Sequence, residues 1–384
     1  MTNLGVYIHI PFCRRKCDYC AFYSIPVGGL EAAQRASLLD NYLARLLSEI
    51  GTRSAELTSY CVDTIYLGGG TPSLLSPGQV SRLLDGLSGT MRVDDAVEIS
   101  MECNPEDFSL ERATGYRDAG VNRLILGLQT MDEQLSRRIG RSARAVDEGM
   151  LEEFLGLRGI TRCLDLIAGI PGRTRAGLVR ELEGILRHRP DHVSIYLLSI
   201  EKGTPLAGRM RPSPALEQLQ RSQLKAAIAL MKRSGYRHYE VSNFSLPGRE
   251  SRHNLKYWRF LPYAGFGAGA HSFYGDARML NRQTVEEYLR DDSVSLAIDQ
   301  RTKGAEVAEY IMTGLRLREG FTMRDFREKL GIPLPDSVRS KLKSFRKRGY
   351  VIMREKGDDA RIRLSLDGML IMDGLVYEMV EDLL

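Results

Sequence analysis

Three cysteines within eight residues, Cys13-Arg-Arg-Lys-Cys17-Asp-Tyr-Cys20, constrain this chain more than any other feature. They follow an apolar segment that ends Ile8-His9-Ile10-Pro11-Phe12. Three thiolates so close can bind three irons of a cubane and leave the fourth without a protein ligand. Thiolates are the usual ligands of iron–sulfur clusters, and an open coordination position is what a metal site needs for chemistry instead of structure. A structural zinc site or a disulfide are the competing readings. A tetrahedral zinc wants a fourth His or Cys, and His9, the one close candidate, sits inside the apparent strand.

The chain is 384 residues long, enough for one large α/β domain and a smaller one. Its net charge of +5 is a small difference between 54 basic and 49 acidic residues, so a solvated mixed surface is expected and direct nucleic-acid binding is not. Six cysteines in such a length, three of them clustered, do not form a disulfide framework. Cys61, Cys103 and Cys163 stand alone in apolar contexts and read as small buried hydrophobes. The sequence shows neither the pattern of a secretory signal nor an apolar run of membrane-spanning length. A reducing cytoplasm is the expected location.

Short runs of branched apolar residues recur at 5–10, 64–67, 97–101, 123–128, 163–168 and 192–198, separated by amphipathic stretches at 32–53, 77–87, 110–119, 131–139, 146–157 and 175–187. That alternation predicts an α/β fold of βα units around a parallel sheet, closed or partial as a barrel. A helix is expected over 215–234, then a loop-rich aromatic stretch over 236–274. From about Gly304 the pattern becomes helix, helix, a basic helix at 337–348, and two strands flanking Gly357-Asp358-Asp359, which suggests a winged-helix-like unit. Residues 1–235, 236–303 and 304–384 form the expected core, connecting region and C-terminal domain. The basic helix carries Lys341, Lys343, Arg346, Lys347 and Arg348. A solvated face beside a partner surface is the favoured reading over DNA binding, because the unit is also rich in acids.

The unusual residues gather where strands give way to helices. Gly68-Gly69-Gly70-Thr71-Pro72 lets backbone approach a ligand closely and lacks the lysine of a phosphate loop. Glu102 and Gln129 end the next two strands, and Asp165 lies one strand further on within an apolar run, where an acid is costly to bury unless paired or liganded. Four successive strands thus offer polar groups at one rim, beside the cysteine loop. Parallel α/β folds bind ligands at that end of the strands.

With Tyr19 between two of the cysteines, the Gly-Gly-Gly-Thr-Pro turn and the Glu102-Cys-Asn-Pro strand end, the chain resembles the radical S-adenosylmethionine superfamily. The resemblance implies a partial (βα)6 TIM-like barrel in which Cys13, Cys17 and Cys20 hold a [4Fe–4S] cluster and S-adenosylmethionine chelates the fourth iron. Within that superfamily, the segments Tyr7–Cys13, Gly127-Leu-Gln129, Asp165–Gly172, His253-Asn254-Leu-Lys-Tyr257-Trp258 and Gly265–Ser272 resemble the oxygen-independent coproporphyrinogen III oxidase group. The oxidases carry another Cys two positions after the third cluster Cys and a long N-terminal extension. Here Phe22 stands at that position and only residues 1–12 precede Cys13, which resembles the heme-chaperone branch instead.

The resemblance implies S-adenosylmethionine contacts from Tyr7, Gly69, Gly70, Thr71, Glu102, Gln129, Arg141 and Asp165, with Tyr19 lining the same site. One departure is Ala143, where relatives usually carry His. The His-Asn-x-x-Tyr-Trp motif implies heme, with His253 as ligand and Tyr257 and Trp258 as a flat wall; the competing reading is a lock at a domain interface. His271 is a second candidate ligand. The expected function is heme binding and delivery to a respiratory, membrane-associated or other heme protein. The alternatives are oxidative decarboxylation of coproporphyrinogen III and a zinc-stabilised nucleic-acid-binding protein.

Overall fold

The structure is a computed structural model that describes residues 1–141, 146–290, 296–354 and 360–384; Ala143 and the Gly357-Asp358-Asp359 turn lie outside the described residues. Six strands, β1 (Thr2–Ile10), β2 (Tyr60–Gly69), β3 (Val93–Cys103), β4 (Arg123–Gln129), β5 (Thr161–Ala168) and β6 (His192–Leu197), lie side by side in chain order. Every adjacent pair among them is parallel. Helices join them: α1 (Ala32–Arg53), α2 (Pro77–Ser88), α3 (Leu110–Asp118), α4 (Glu133–Arg138), α5 (Glu148–Leu155) and α6 (Arg175–Arg187), with α7 (Pro214–Arg233) following β6. The expected partial (βα)6 barrel is what the chain forms.

Periodicity explains why these segments take these forms. Leu39, Tyr42, Leu43, Leu46 and Ile50 of α1 are buried at helical spacing, and Leu4, Val6 and Ile8 of β1 are buried against the helices. Helix starts are fixed by side chains: Ser76 and Gln79 form a capping box at α2, and Thr174 accepts the Gly177 N–H at α6.

The aromatic stretch expected as loop extends the sheet instead. Strand β7 (Asn243–Ser245) runs antiparallel to β6, while β8 (Tyr263–Phe266) runs parallel to β1 on the opposite flank, followed by antiparallel β9 (His271–Tyr274) and β10 (Ala277–Leu280). With two short edge pieces the sheet has 12 strands, and among the described residues no pairing joins its two edges. Strands of three or four residues, some buried throughout, show no alternation for a sequence pattern to reveal.

Helix α8 (Arg252–Trp258) lies between β7 and β8, and the C-terminal unit contains α9 (Lys303–Arg316) and α10 (Asp336–Lys347), the antiparallel pair β11 (Val351–Arg354) and β12 (Arg361–Leu364), and α11 (Met372–Val380). Its core, including Tyr310, Phe326, Phe345 and Ile362, also takes in Tyr263 and Phe273 from the extended sheet and Phe260 from the turn before it. The unit is therefore fused to the barrel through shared aromatic packing. On the basic helix, Lys341 pairs with Asp382 at 2.7 Å and Glu381 at 3.3 Å, and Arg348 with Glu378 at 3.6 Å. Acids of the same unit thus partner cations that DNA would have needed.

Candidate radical SAM site

Strand β1 delivers the cysteine loop directly to the rim. Gly70 N–H donates to the Ile10 carbonyl at 2.9 Å, which presses the glycine turn against the loop's first residues. The fit is tight: a Cβ on Gly70 would lie 2.6 Å from the Phe12 oxygen, and one on Gly69 (φ +110°) 2.4 Å from the His9 ring. Thr71 Oγ1 donates to Cys13 Sγ at 3.4 Å, and Asn104 Nδ2 donates to Thr71 Oγ1 at 3.0 Å. Arg14 Nε reaches the buried Asp107 at 2.6 Å, tying the loop to the far side of the β3 terminus.

Cys13, Cys17 and Cys20 are free thiols, so no disulfide holds the loop. Among the described residues, the one trio of such ligands with donor atoms all within 4.8 Å of each other is Glu148, Glu152 and His188, on the barrel's flank. Burial pushes the Cys17 thiol up while the Arg141 guanidinium pulls it down. Three soft donors on one loop, beside a close backbone turn, fit a cluster better than a lone ion.

The other predicted residues converge on the same rim. Glu102, at the end of β3, accepts the Tyr66 hydroxyl at 2.8 Å and the Gly69 N–H at 3.3 Å. Burial raises its carboxyl to about 7 and that of Asp165 on β5 to about 6. Gln129 closes β4 in the left-handed region, φ 61°, an uncommon conformation for a residue with a side chain and a mark of local constraint. Arg141 is buried and bonds the Gly127 carbonyl and Asn104 Oδ1, the latter at 3.1 Å. Tyr19 lies near enough that Arg141 opposes the upward pull of burial on its phenol. Tyr7 donates to His9 Nδ1, or accepts from it, at 2.8 Å and stacks against Tyr66.

Tyr66, Asn104 and Asp107 were not anticipated as site residues. Tyr66 shares its strand face with Thr64 and points at Glu102, a relation visible only once the register of β2 and β3 is known. Asn104 and Asp107 could have been suspected from the polar turn that ends β3.

His253 lies elsewhere. It sits on α8, whose Ser251 cap accepts the Asn254 N–H. The ring is fully buried, bonded to Thr64 Oγ1 at 2.9 Å through Nδ1 and to the Tyr257 hydroxyl at 2.8 Å through Nε2, and stacked on Tyr66. Burial, with Lys256 nearby, drops its pKa to about 3. Lys256 pairs with Asp63 at 2.7 Å, so the helix plugs the amino-terminal mouth of the barrel. In this conformation neither ring nitrogen is free for an iron. Trp258 is covered by Arg316, 4.4 Å above its ring, and His271 is exposed on β9.

The Radical SAM superfamily profile matches residues 7–184 and the HemN C-terminal domain profile residues 302–371. The heme chaperone HemW of Bacillus subtilis is 33% identical over 96% of this chain and 96% of its own length. HemW of Escherichia coli is 34% identical, covering 91% of this chain and 92% of its own. The chain belongs to the HemW family. A mitochondrial relative from Bos taurus, radical S-adenosyl methionine domain-containing protein 1, is 32% identical over 99% of the chain and 88% of its own length. Among solved structures, coproporphyrinogen III oxidase (HemN) from Escherichia coli superposes with TM-score 0.80 at 22% identity, over 99% of this chain and 90% of its own, which establishes the shared fold. Membership of the superfamily implies a [4Fe–4S] cluster and S-adenosylmethionine. No described helix is long and apolar enough to cross a membrane.

Proposed function

We propose that this chain is a cytoplasmic heme chaperone that binds heme and passes it to heme-accepting proteins, membrane-associated respiratory enzymes among them. The observation that carries this reading is similarity to HemW chaperones along almost the whole chain. Phe22 adds to it: the position that holds an extra cysteine in the oxidases is here an aromatic side chain, 70% exposed beside the cysteine loop.

In this reading Cys13, Cys17 and Cys20 would hold the cluster, which when bound would supply an open iron position and a one-electron reductant for S-adenosylmethionine. The protein's own part is placement. Gly69 and Gly70 let the ligand approach backbone, Glu102 and Asp165 present carboxylates, and Gln129, Arg141, Thr71, Tyr7 and Tyr19 frame the remainder of the pocket. His253 serves as a lock; ligation of heme by it would require α8 to leave the barrel and break two hydrogen bonds.

The test uses anaerobically purified protein. Iron and acid-labile sulfide, lost together in Cys17→Ala, are expected, as is heme transfer to an apo-acceptor without turnover of coproporphyrinogen III. Conversion of coproporphyrinogen III to protoporphyrinogen would overturn the chaperone reading in favour of the oxidase. Zinc without sulfide would overturn the cluster.

A further inference from the structure

We propose that heme rests in the cleft on the outer side of the Arg252–Trp258 helix, its two propionates gripped by Lys232 and Arg318; this rests on the chaperone reading above. The cleft, of about 760 Å³, lies between the end of α7, the turn at Tyr236, the outer face of the plug helix and the entrance to the C-terminal unit at Leu317. Sites for small molecules and cofactors span about 300–1,000 Å³.

Its walls combine apolar surface with a surplus of positive charge. Ile228, Tyr236, Leu255 and Leu317 supply the former. Three of the cationic side chains at the cleft are already engaged: Arg237 with Glu250 at 3.8 Å, Arg259 with Glu319 at 3.1 Å, and Arg252 with Asp63 at 3.7 Å. Lys232 and Arg318 have no carboxylate partner among the described residues. Arg318 is only partly exposed, and its Nη1 meets the Met369 sulfur at 3.0 Å. Burial and the neighbouring Arg363 both work against its charge. A half-buried guanidinium facing another cation is costly until an anion arrives, and its planar fork suits a carboxylate.

The ligand this cleft calls for has an apolar body and more than one acidic group. Inorganic anions lack the body, whereas a porphyrin with two propionates has both. The placement also gives the plug helix two roles: His253 and Lys256 face the barrel, and Arg252, Leu255 and Arg259 face the cleft.

The experiment titrates the full-length protein with hemin at the Soret band, and with protoporphyrin IX and its dimethyl ester. Lys232→Glu and Arg318→Glu are each expected to weaken hemin binding about tenfold, equivalent to about 1.4 kcal/mol, with Lys343→Glu on α10 unchanged. The uncharged ester should bind wild type and variants alike. Because Lys232 is exposed, its reversal tests the cleft without risk to folding. Hemin binding that ignores both reversals would refute the cleft and leave the chaperone reading standing. Failure of wild type to bind hemin at all would refute both.

Discussion

The Tyr66 hydroxyl donates to Glu102 Oε1 at 2.8 Å, and the same ring stacks on His253 with centroids 5.2 Å apart. One side chain thus touches the rim proposed to hold S-adenosylmethionine and the helix that plugs the opposite mouth. Hydrogen bonds to ionised groups contribute about 1.5–3 kcal/mol. Tyr66→Phe, which keeps the stack and deletes the donor, is expected to weaken S-adenosylmethionine binding about tenfold. Equilibrium dialysis on cluster-loaded protein measures it; equal affinities would remove Tyr66 from the positioning of Glu102.

Glu102 makes stability depend on pH. Burial lifts its carboxyl from 4.5 to about 7, partly offset by the Tyr66 bond. Between those values the folded chain holds a proton that the unfolded chain releases, so this contribution is full below about pH 4.5 and is lost as pH rises through 7. Ligand-free Glu102→Gln is therefore expected to gain on wild type by on the order of 2–3 kcal/mol at about pH 8 and by little near pH 4. Denaturant melts across that range test this, and parallel stability curves for the two proteins would contradict it.

His253→Ala removes a buried ring and strands the Thr64 and Tyr257 hydroxyls. A cavity with unpaired polar groups costs about 2–4 kcal/mol. The variant should melt earlier, with faster amide exchange across Arg252–Trp258, while the Soret maximum of added hemin stays in place. A shifted maximum at unchanged stability would make His253 a ligand instead of a lock.

Asp107 holds both Arg14 and Ser73, at 2.6 Å and 3.2 Å. Asp107→Ala unpairs them and is expected to cost about 1–3 kcal/mol, loosening the cysteine loop. Iron should leave the variant faster under chelator challenge; retention equal to wild type would show that the loop does not depend on this tie.

The parallel core was legible because its signals are local. Branched apolar runs and helical spacing put α1 and α6 on their expected limits and all six core strands in place. The cysteine loop, the glycine turn, Glu102 and Asp165 were legible for the same reason, each being unusual chemistry at a strand end. What escaped was relational. Tyr66 reads as one more strand aromatic until the β2–β3 register turns it toward Glu102. β8 could not be seen because the residues it pairs with, on β1, lie some 250 positions earlier in the chain. His253 carries two readings from sequence, heme ligand and interface lock, and nothing in a His-Asn-x-x-Tyr-Trp string announces the Thr64 hydroxyl that bonds its ring inside the barrel.

The plugged floor has a consequence for traffic. Lys256 and His253 are wedged against Gly5 and Thr64, so in the proposed function the described residues leave the cysteine side as the approach for a nucleoside. In the proposed arrangement a macrocycle seated outside that stopper would share no compartment with the sulfonium, and the helix between them would be what couples the two. A carrier arranged this way keeps its passenger out of reach of the oxidising chemistry practised by its enzymatic cousins.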